Sequence, residues 1–300
     1  MVKTNKNFAL IGVGGYIAPR HLKAIKETGN ELIASVDRHD SVGILDSFFP
    51  NSKFFTEFER FDRYLEKLRQ EKNNKIDYVV VCSPNYLHDA HIRFGLRIGA
   101  NVICEKPLVL NPWNVFALEK ISKETNKKIN CILQLRLDDN IIKLKKQIDR
   151  IKNKIFEVDL TYITPRGPWY LSSWKGDESK SGGLITNIGI HFFDLLIWLF
   201  GKVTFNHLLD YKPNKAKGIL KLEKANVNWF LSVDRNDLPD CPTTTYRALT
   251  INNKKIEFSK YFTELHTKSY EKILDGKGFS TKDVLPSVEL VSLLRNIKTT

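Results

Sequence analysis

Residues able to do chemistry gather at three places in this chain. In Gly182-Gly183-Leu184-Ile185-Thr186-Asn187-Ile188-Gly189-Ile190-His191-Phe192-Phe193-Asp194, the polar residues Asn187, His191 and Asp194 follow one another at spacings of four and three. On a helix those spacings set all three on one face. Their neighbours are apolar, so a neutral His191 can take a proton from a hydroxyl while Asp194 holds the other ring nitrogen and Asn187 hydrogen-bonds. The second place is Glu105-Lys106-Pro107. A proline keeps the residue before it out of helical geometry, so Lys106 presents its ammonium from extended backbone. The third is the turn Gly12-Val13-Gly14-Gly15-Tyr16-Ile17-Ala18. Gly12 permits a tight turn, Gly14 lets the backbone approach a pyrophosphate, and the N–H groups of the helix that follows receive it. A base, a fixed cation and a pyrophosphate cradle suit oxidation of an alcohol with a nicotinamide dinucleotide and no metal.

These groups need elements to position them. Residues 1–135 alternate short apolar runs with helical patterns, which predicts an α/β Rossmann domain with a doubly wound parallel sheet. Strands are expected at Phe8–Ile11, Leu32–Val36, Tyr78–Cys82, Asn101–Cys104 and Ile129–Gln134, and helices at Pro19–Glu27, Phe61–Glu71, His88–Ile98 and Trp113–Thr125. Asp37 ends the second strand, where an acid accepts the adenosine ribose hydroxyls. It would repel a 2′-phosphate that Arg38 could attract, and NAD is the expected cofactor. Ile17 stands at the third glycine position, consistent with one inserted residue in the turn. Residues 136–300 are expected to form an α+β domain with a mostly antiparallel open sheet that binds substrate and pairs subunits. It opens with a helix carrying Ile141, Leu144, Ile148, Ile151 and Ile155 on one face and lysines on the other, a solvated face rather than a membrane anchor. Period-two alternation from Phe156 to Tyr162 predicts a half-buried antiparallel strand. Further strands are expected at Val203–Leu209, Gly218–Leu222, Val227–Val233, Tyr246–Ile251 and Lys255–Phe258. Closing helices, Thr267–Asp275 and Pro286–Ile297, are free to pack back on the first domain.

Lysine and arginine number 47 against 34 acidic residues, a formal charge of +13. Such a charge suits nucleic acid, an anionic membrane surface or a diphosphate substrate. The lysines are spread along the chain without a zinc spacing or an aromatic-basic repeat, so no nucleic-acid partner is expected. Cys82, Cys104, Cys131 and Cys241 form no CxxC pair, which fits a reduced cytoplasm. The first strand follows the N-terminus directly, leaving no room for a signal peptide. The most apolar run, Ile188 to Phe200, is shorter than the roughly 20 residues a bilayer requires, so no membrane span is expected.

Two segments resemble the Gfo/Idh/MocA oxidoreductases: Val81-Cys82-Ser83-Pro84-Asn85-Tyr86-Leu87-His88 with Ala100 to Leu108, and Gly182 to Asp194. They stand in the family's order and separation, and the likeness covers essentially the whole chain. The resemblance implies that Lys106, His191 and Asn187 are catalytic, with Asn187 where members often carry aspartate. It also implies a dinucleotide held by Gly12, Gly14, Gly15, Tyr16, Ile17, Asp37, Arg38, Ser83, Asn85, His88, Glu105 and Lys106. A Lys-Pro bond that is commonly cis and a homodimer or homotetramer belong to the same expectation.

Other segments are more similar to one branch, the bacterial UDP-N-acetyl-2-amino-2-deoxy-glucuronate dehydrogenases of surface-polysaccharide synthesis. They are Tyr16 to His21, Gln134-Leu135-Arg136, Thr164 to Tyr170, Trp174 to Gly176, Lys180 to Gly183, Ile256 to Ser259 and Leu265 to Tyr270. This implies oxidation of a UDP-sugar acid at its 3-hydroxyl, with Gln134, Arg136, Arg166, Trp169, Tyr170, Lys180, Ser181, Asn187 and His191 at the substrate. A 2-oxo acid such as 2-oxoglutarate is then the expected oxidant of NADH. Arginine and lysine, Lys175 among them, would neutralise diphosphate and carboxylate, and the aromatics would offer stacking surfaces. Two other readings stay open: dehydrogenation of a different sugar or cyclitol, and a non-catalytic NAD-binding regulator, since fold does not set function.

Overall fold

A computed structural model of the 300-residue chain describes residues 5–71, 75–240, 244–256 and 264–297. Cys241, the end of the strand expected at Lys255–Phe258 and most of the Ile256 to Ser259 segment lie outside the described residues. The chain divides into two compact units, Met1–Val109 with Trp113–Gln134 and Tyr261–Val284, and Leu110–Pro112 with Leu135–Lys260 and Leu285–Thr300.

In the first unit, β1 (Asn7–Ile11), α1 (Ala18–Glu27), β2 (Glu31–Val36), α2 (Ile44–Phe48), β3 (Lys53–Phe55), α3 (Phe58–Gln70), β4 (Tyr78–Val81), α4 (His88–Arg97), β5 (Asn101–Cys104), α5 (Pro112–Thr125) and β6 (Ile129–Cys131) alternate along the chain. The strands pair in parallel in the order β3-β2-β1-β4-β5-β6. Phe8, Ala9, Leu10, Val79, Val80, Val81, Val102, Ile103 and Cys104 are fully buried, as unbroken apolar strands must be when helices cover both faces. Short α2 and β3 carry too few residues for a periodic signal, and the sequence did not announce them. The helix expected from Phe61 begins one turn earlier, at Phe58. The strand expected to reach Gln134 stops at Cys131 and gives way to a 3₁₀ turn over Gln134–Leu137, because β6 is an edge strand with β5 as its one partner in the sheet.

The second unit runs through α6 (Asp139–Arg150), β7 (Phe156–Ile163), α7 (Trp169–Ser172), α8 (Glu178–Ser181), α9 (Ile190–Phe200), β8 (Val203–Lys212), β9 (Lys215–Leu222), β10 (Ala225–Ser232), β11 (Tyr246–Ile251) and β12 (Lys254–Ile256). Its sheet order is β12-β11-β7-β10-β9-β8. Strand β7, expected to be antiparallel, is so only toward β11 and pairs in parallel with β10. Parallel neighbours need a long crossover, and residues 164–224 supply it. The helical stripe ends before Ile151 and Ile155: Ile151 adopts extended backbone, and the two are 38% and 52% exposed. Two helices follow. α10 (Glu264–Leu274) belongs to the first unit, and α11 (Thr281–Asn296), with Pro286 inside it, begins in the first unit and continues in the second.

The run Glu178–Phe200 is long and apolar enough to cross a membrane by length and composition, yet 78% of its apolar window is buried inside the protein. Phe193 meets Trp229 edge-on at 5.2 Å, and Gly189 sits so close to the sheet that a Cβ would approach Leu231 to 2.7 Å. It is a core helix.

Helix α4 lies equally close to its own sheet. A Cβ on Gly95 would stand 2.7 Å from Val102 Cγ2 and 3.2 Å from Val79 Cβ. Gly95→Val should therefore lower stability by about 2 kcal/mol or more, read as a lower urea midpoint of the first unit.

Candidate functional site

The glycine turn joins β1 to α1. Gly12 has φ of +90°, and a Cβ there would lie 2.8 Å from the Cys82 carbonyl carbon and from the Ser83 nitrogen. Only glycine lets the turn pass so near the end of β4. Gly14 N–H donates to Asp37 Oδ2 at 3.0 Å, and Gly15 N–H to the Gly12 carbonyl at 3.1 Å. Tyr16 is 85% exposed, Arg38 is exposed, and Ile17 heads α1 without a side-chain cap. Uncapped N–H groups above a surface kept clear of Cβ atoms fit a pyrophosphate, and Asp37 at the end of β2 fits a ribose diol.

Ser83, Asn85, Glu105 and Lys106 follow β4 and β5, on the same edge of the sheet as the turn. Lys106 is half-buried and its bond to Pro107 is cis. His88 is 1% exposed, and its ring bridges the Ser83 carbonyl (2.8 Å) and the Pro107 carbonyl (2.7 Å). It ties the two loops together from within. Ser83 Oγ is hydrogen-bonded to His91 Nδ1 at 2.8 Å, and the His91 ring stacks on Phe58. Glu105 is 6% exposed, with Oε1 accepting from His21 Nε2 and His266 Nε2 and Oε2 accepting from the Lys106 N–H. His21, His266 and Tyr270, the hydrogen-bond partner of His21, had no assigned role in the sequence reading. No local pattern could have revealed one, because His21 and His266 lie 84 and 161 residues from Glu105.

In the second unit, Ile185–Gly189 winds as a π-helix before α9 begins. The wider turn breaks the spacing expected to align Asn187 with His191. Asn187 instead donates from Nδ2 to the Tyr170 hydroxyl at 2.8 Å, while His191 and Asp194 keep α-helical spacing. His191 is half-buried and Asp194 is 3% exposed. Both Asp194 oxygens accept from Arg136, Oδ2 from Nε at 2.8 Å and Oδ1 from Nη2 at 2.6 Å. The carboxylate expected to hold the imidazole thus grips a guanidinium, and Arg136, expected at a substrate anion, is 6% exposed and anchors α9.

Tyr170 is 2% exposed, so it packs and orients Asn187 rather than stacking, and burial raises its hydroxyl. Trp169 is 54% exposed. Lys175 lies over Trp169 and Trp174, its ammonium lowered by burial and then by Arg166. Arg166 is exposed, Lys180 pairs with Asp177 at 3.0 Å, and buried Ser181 accepts the Gly183 N–H at 3.0 Å. Gln134 is 7% exposed.

A glycine cradle on β1 of a doubly wound sheet, an acid closing β2 and a lysine displayed after β5 are the parts of a nicotinamide-dependent oxidoreductase. Residues 6–132 match the NAD-binding Rossmann fold of the Gfo/Idh/MocA oxidoreductase family and residues 145–217 its C-terminal alpha/beta domain, and the chain belongs to that family. It is 46% identical to the WlbA (WbpB) dehydrogenase of Thermus thermophilus, whose crystal structure holds NAD and alpha-ketoglutarate. The match covers 98% of this chain and 96% of that one with a TM-score of 0.95. A second crystal structure of that dehydrogenase, with NAD and UDP-GlcNAcA, is 45% identical with a TM-score of 0.94 over the same shares of the two chains. Inositol 2-dehydrogenase of Rhizobium meliloti is 34% identical over 128 residues, which span 42% of this chain and 37% of that enzyme.

Two outcomes follow from this geometry. Asp37→Ala should raise the NAD dissociation constant about tenfold while weakening NADP less, measured by titrating protein fluorescence. Burial pushes His91 down from 6.5 to about 4. The folded protein then keeps it neutral where the unfolded chain binds a proton, so stability is full above pH 6.5 and falls as pH drops toward 4. With allowance for partial exposure the loss is about 2 kcal/mol, and thermal unfolding of His91→Phe should show a flatter pH dependence across that window.

Proposed function

We propose that the protein oxidises the 3-hydroxyl of UDP-N-acetylglucosaminuronic acid to a ketone with NAD, in cytoplasmic synthesis of bacterial surface polysaccharide. The observation that carries this reading is 46% identity, over nearly the whole chain, to a dehydrogenase crystallised with NAD and alpha-ketoglutarate and, in a second crystal structure, with NAD and UDP-GlcNAcA. Bound NAD supplies the acceptor for the hydride that leaves the sugar carbon. The chain's own residues do the remainder. Lys106 donates a hydrogen bond to the hydroxyl oxygen and draws charge from it as the carbonyl forms. His191, on the apolar helix α9, takes the hydroxyl proton. Asn187, its amide oriented by Tyr170, hydrogen-bonds the sugar. Exposed Arg166 and half-buried Lys175 meet the anionic groups, and Trp169 offers a stacking face.

A 2-oxo acid restores the cofactor: NADH and a proton reduce its carbonyl to a hydroxy acid. The alpha-ketoglutarate in the related crystal structure supports that half-reaction. The cyclitol alternative draws on the inositol dehydrogenase, whose match extends over 42% of this chain. A homodimer or homotetramer is the accompanying reading, supported by Phe205 and Leu209, which β8 leaves 47% and 51% exposed.

Incubation with NAD, UDP-N-acetylglucosaminuronic acid and 2-oxoglutarate should give a nucleotide sugar lighter by two hydrogens together with 2-hydroxyglutarate, both seen by mass spectrometry. His191→Ala should slow turnover by about 10²–10⁴ with little change in NAD affinity. Oxidation of inositols in preference to the nucleotide sugar would instead support the cyclitol reading.

A further inference from the structure

The histidine pair around Glu105 has no part in the chemistry just described. His21 comes from α1 and His266 from α10, and both rings are fully buried. Their Nε2 atoms lie 2.9 and 3.1 Å from one carboxylate oxygen, Oε1. The other oxygen accepts the Lys106 N–H at 3.1 Å. Tyr270, also on α10, sits with its hydroxyl 2.8 Å from His21 Nδ1.

Protons can be assigned along this chain of bonds. Burial holds the Tyr270 hydroxyl well above its ordinary value, so it keeps its proton and donates to His21 Nδ1. Burial also lowers His21, against the pull of Glu105, so the ring is neutral and its one N–H, on Nε2, points at Glu105. Burial alone would raise the Glu105 carboxyl; hydrogen bonds from His21 and His266 outweigh it and hold the group well below the usual carboxylate range. Cys82 and Cys104, raised well above the ordinary range by burial first, remain thiols and add no charge, while His266 and then Arg20 add to the lowering of His21. The result is a buried anion one residue before Lys106.

His21, Glu105 and His266 could also be read as a metal-ligand triad, since their donor atoms lie within 4.8 Å of one another. The hydrogen-bonded state fits better. A metal on His266 Nε2 would put a proton on Nδ1, which is buried without a partner; the metal-free tautomer leaves only a bare lone pair there.

An amide in place of Glu105 would accept on one oxygen only and turn its NH2 group toward donors that need an acceptor. A carboxylate accepts on both oxygens, so one group answers His21, His266 and the Lys106 N–H together. We propose that Glu105 is the positioning residue of Lys106, holding it through its backbone N–H. His21 and His266 orient its carboxylate, and Tyr270 sets the His21 tautomer. The carboxylate fixes the Lys106 backbone and so the direction in which its side chain leaves the chain. Only the ammonium's task, polarising the reacting hydroxyl, rests on the dehydrogenase reading above.

The test compares parent, Glu105→Gln and Tyr270→Phe as full-length protein without ligand, using limiting acetic anhydride and mass spectrometry to follow Lys106 acetylation against other lysines across pH. Glu105→Gln should label Lys106 about fivefold faster at neutral pH, because the backbone that holds it loses its anchor, and Tyr270→Phe should move the same way by less. In the assay above, Glu105→Gln should lose about tenfold in kcat while the KM for the nucleotide sugar changes less than about twofold, a split that general loosening of the fold would not give. Unchanged Lys106 labelling in the folded variants, or stoichiometric metal in elemental analysis of the parent, overturns the proposal. If Glu105→Gln does not fold, Tyr270→Phe decides. If the parent turns over no nucleotide sugar, the functional reading fails and the labelling still decides this one.

Discussion

A carboxylate cut off from water must be met by hydrogen-bond donors or give up its charge. In this protein the Glu105 carboxylate lies at the end of β5, and the first unit converges on it. α1 brings His21, α10 brings His266 and Tyr270, and the next peptide contributes its N–H. Packing follows the same lines: Tyr270 and Ile273 of α10 join Phe8, Leu10, Leu22 and Ile25 in one apolar cluster. Removing α10 would therefore strip the carboxylate of a donor and open the core at once.

The second unit repeats this logic with a different pair. Asp194, buried in the most apolar helix of the chain, is answered by both arms of Arg136, whose guanidinium also faces the Trp198 ring at 5.9 Å. A buried bidentate pair of this kind fixes rotation of α9 about its axis more firmly than it adds stability. Since His191 lies on that helix, the orientation of the proposed base is set by a residue from the 3₁₀ turn ahead of α6. The π turn over Ile185–Gly189 separately aims Asn187 at Tyr170. In both units an interior polar contact sets the aim of a residue assigned to chemistry.

Much of this arrangement was legible in the sequence. Strands β1, β2, β4 and β5 are apolar runs bounded by turn residues, and their periodicity survives because nothing else competes for those positions. The glycines of the turn, Asp37, Lys106 and His191 could be picked out because each owes its role to near neighbours: a strand before, a helix after, a proline next in line. β3 and α2, short and without an unbroken apolar run between turn residues, appeared only in three dimensions. The end of α6 was misplaced because Ile151 and Ile155 continue an apolar rhythm that the backbone abandons.

Taken by itself, the sequence determined the two-part architecture and the dinucleotide turn and singled out Lys106 and His191 as candidates, from patterns that lie within about a helical turn or a strand. Tertiary structure alone decided the partners of the buried polar groups. It gave Asp194 to Arg136, withdrew Tyr170 from the surface, and brought His21 and His266 to Glu105. The reason is that a buried charge can be satisfied by any donor the fold delivers, from any distance along the chain, and no local spacing records which one that will be.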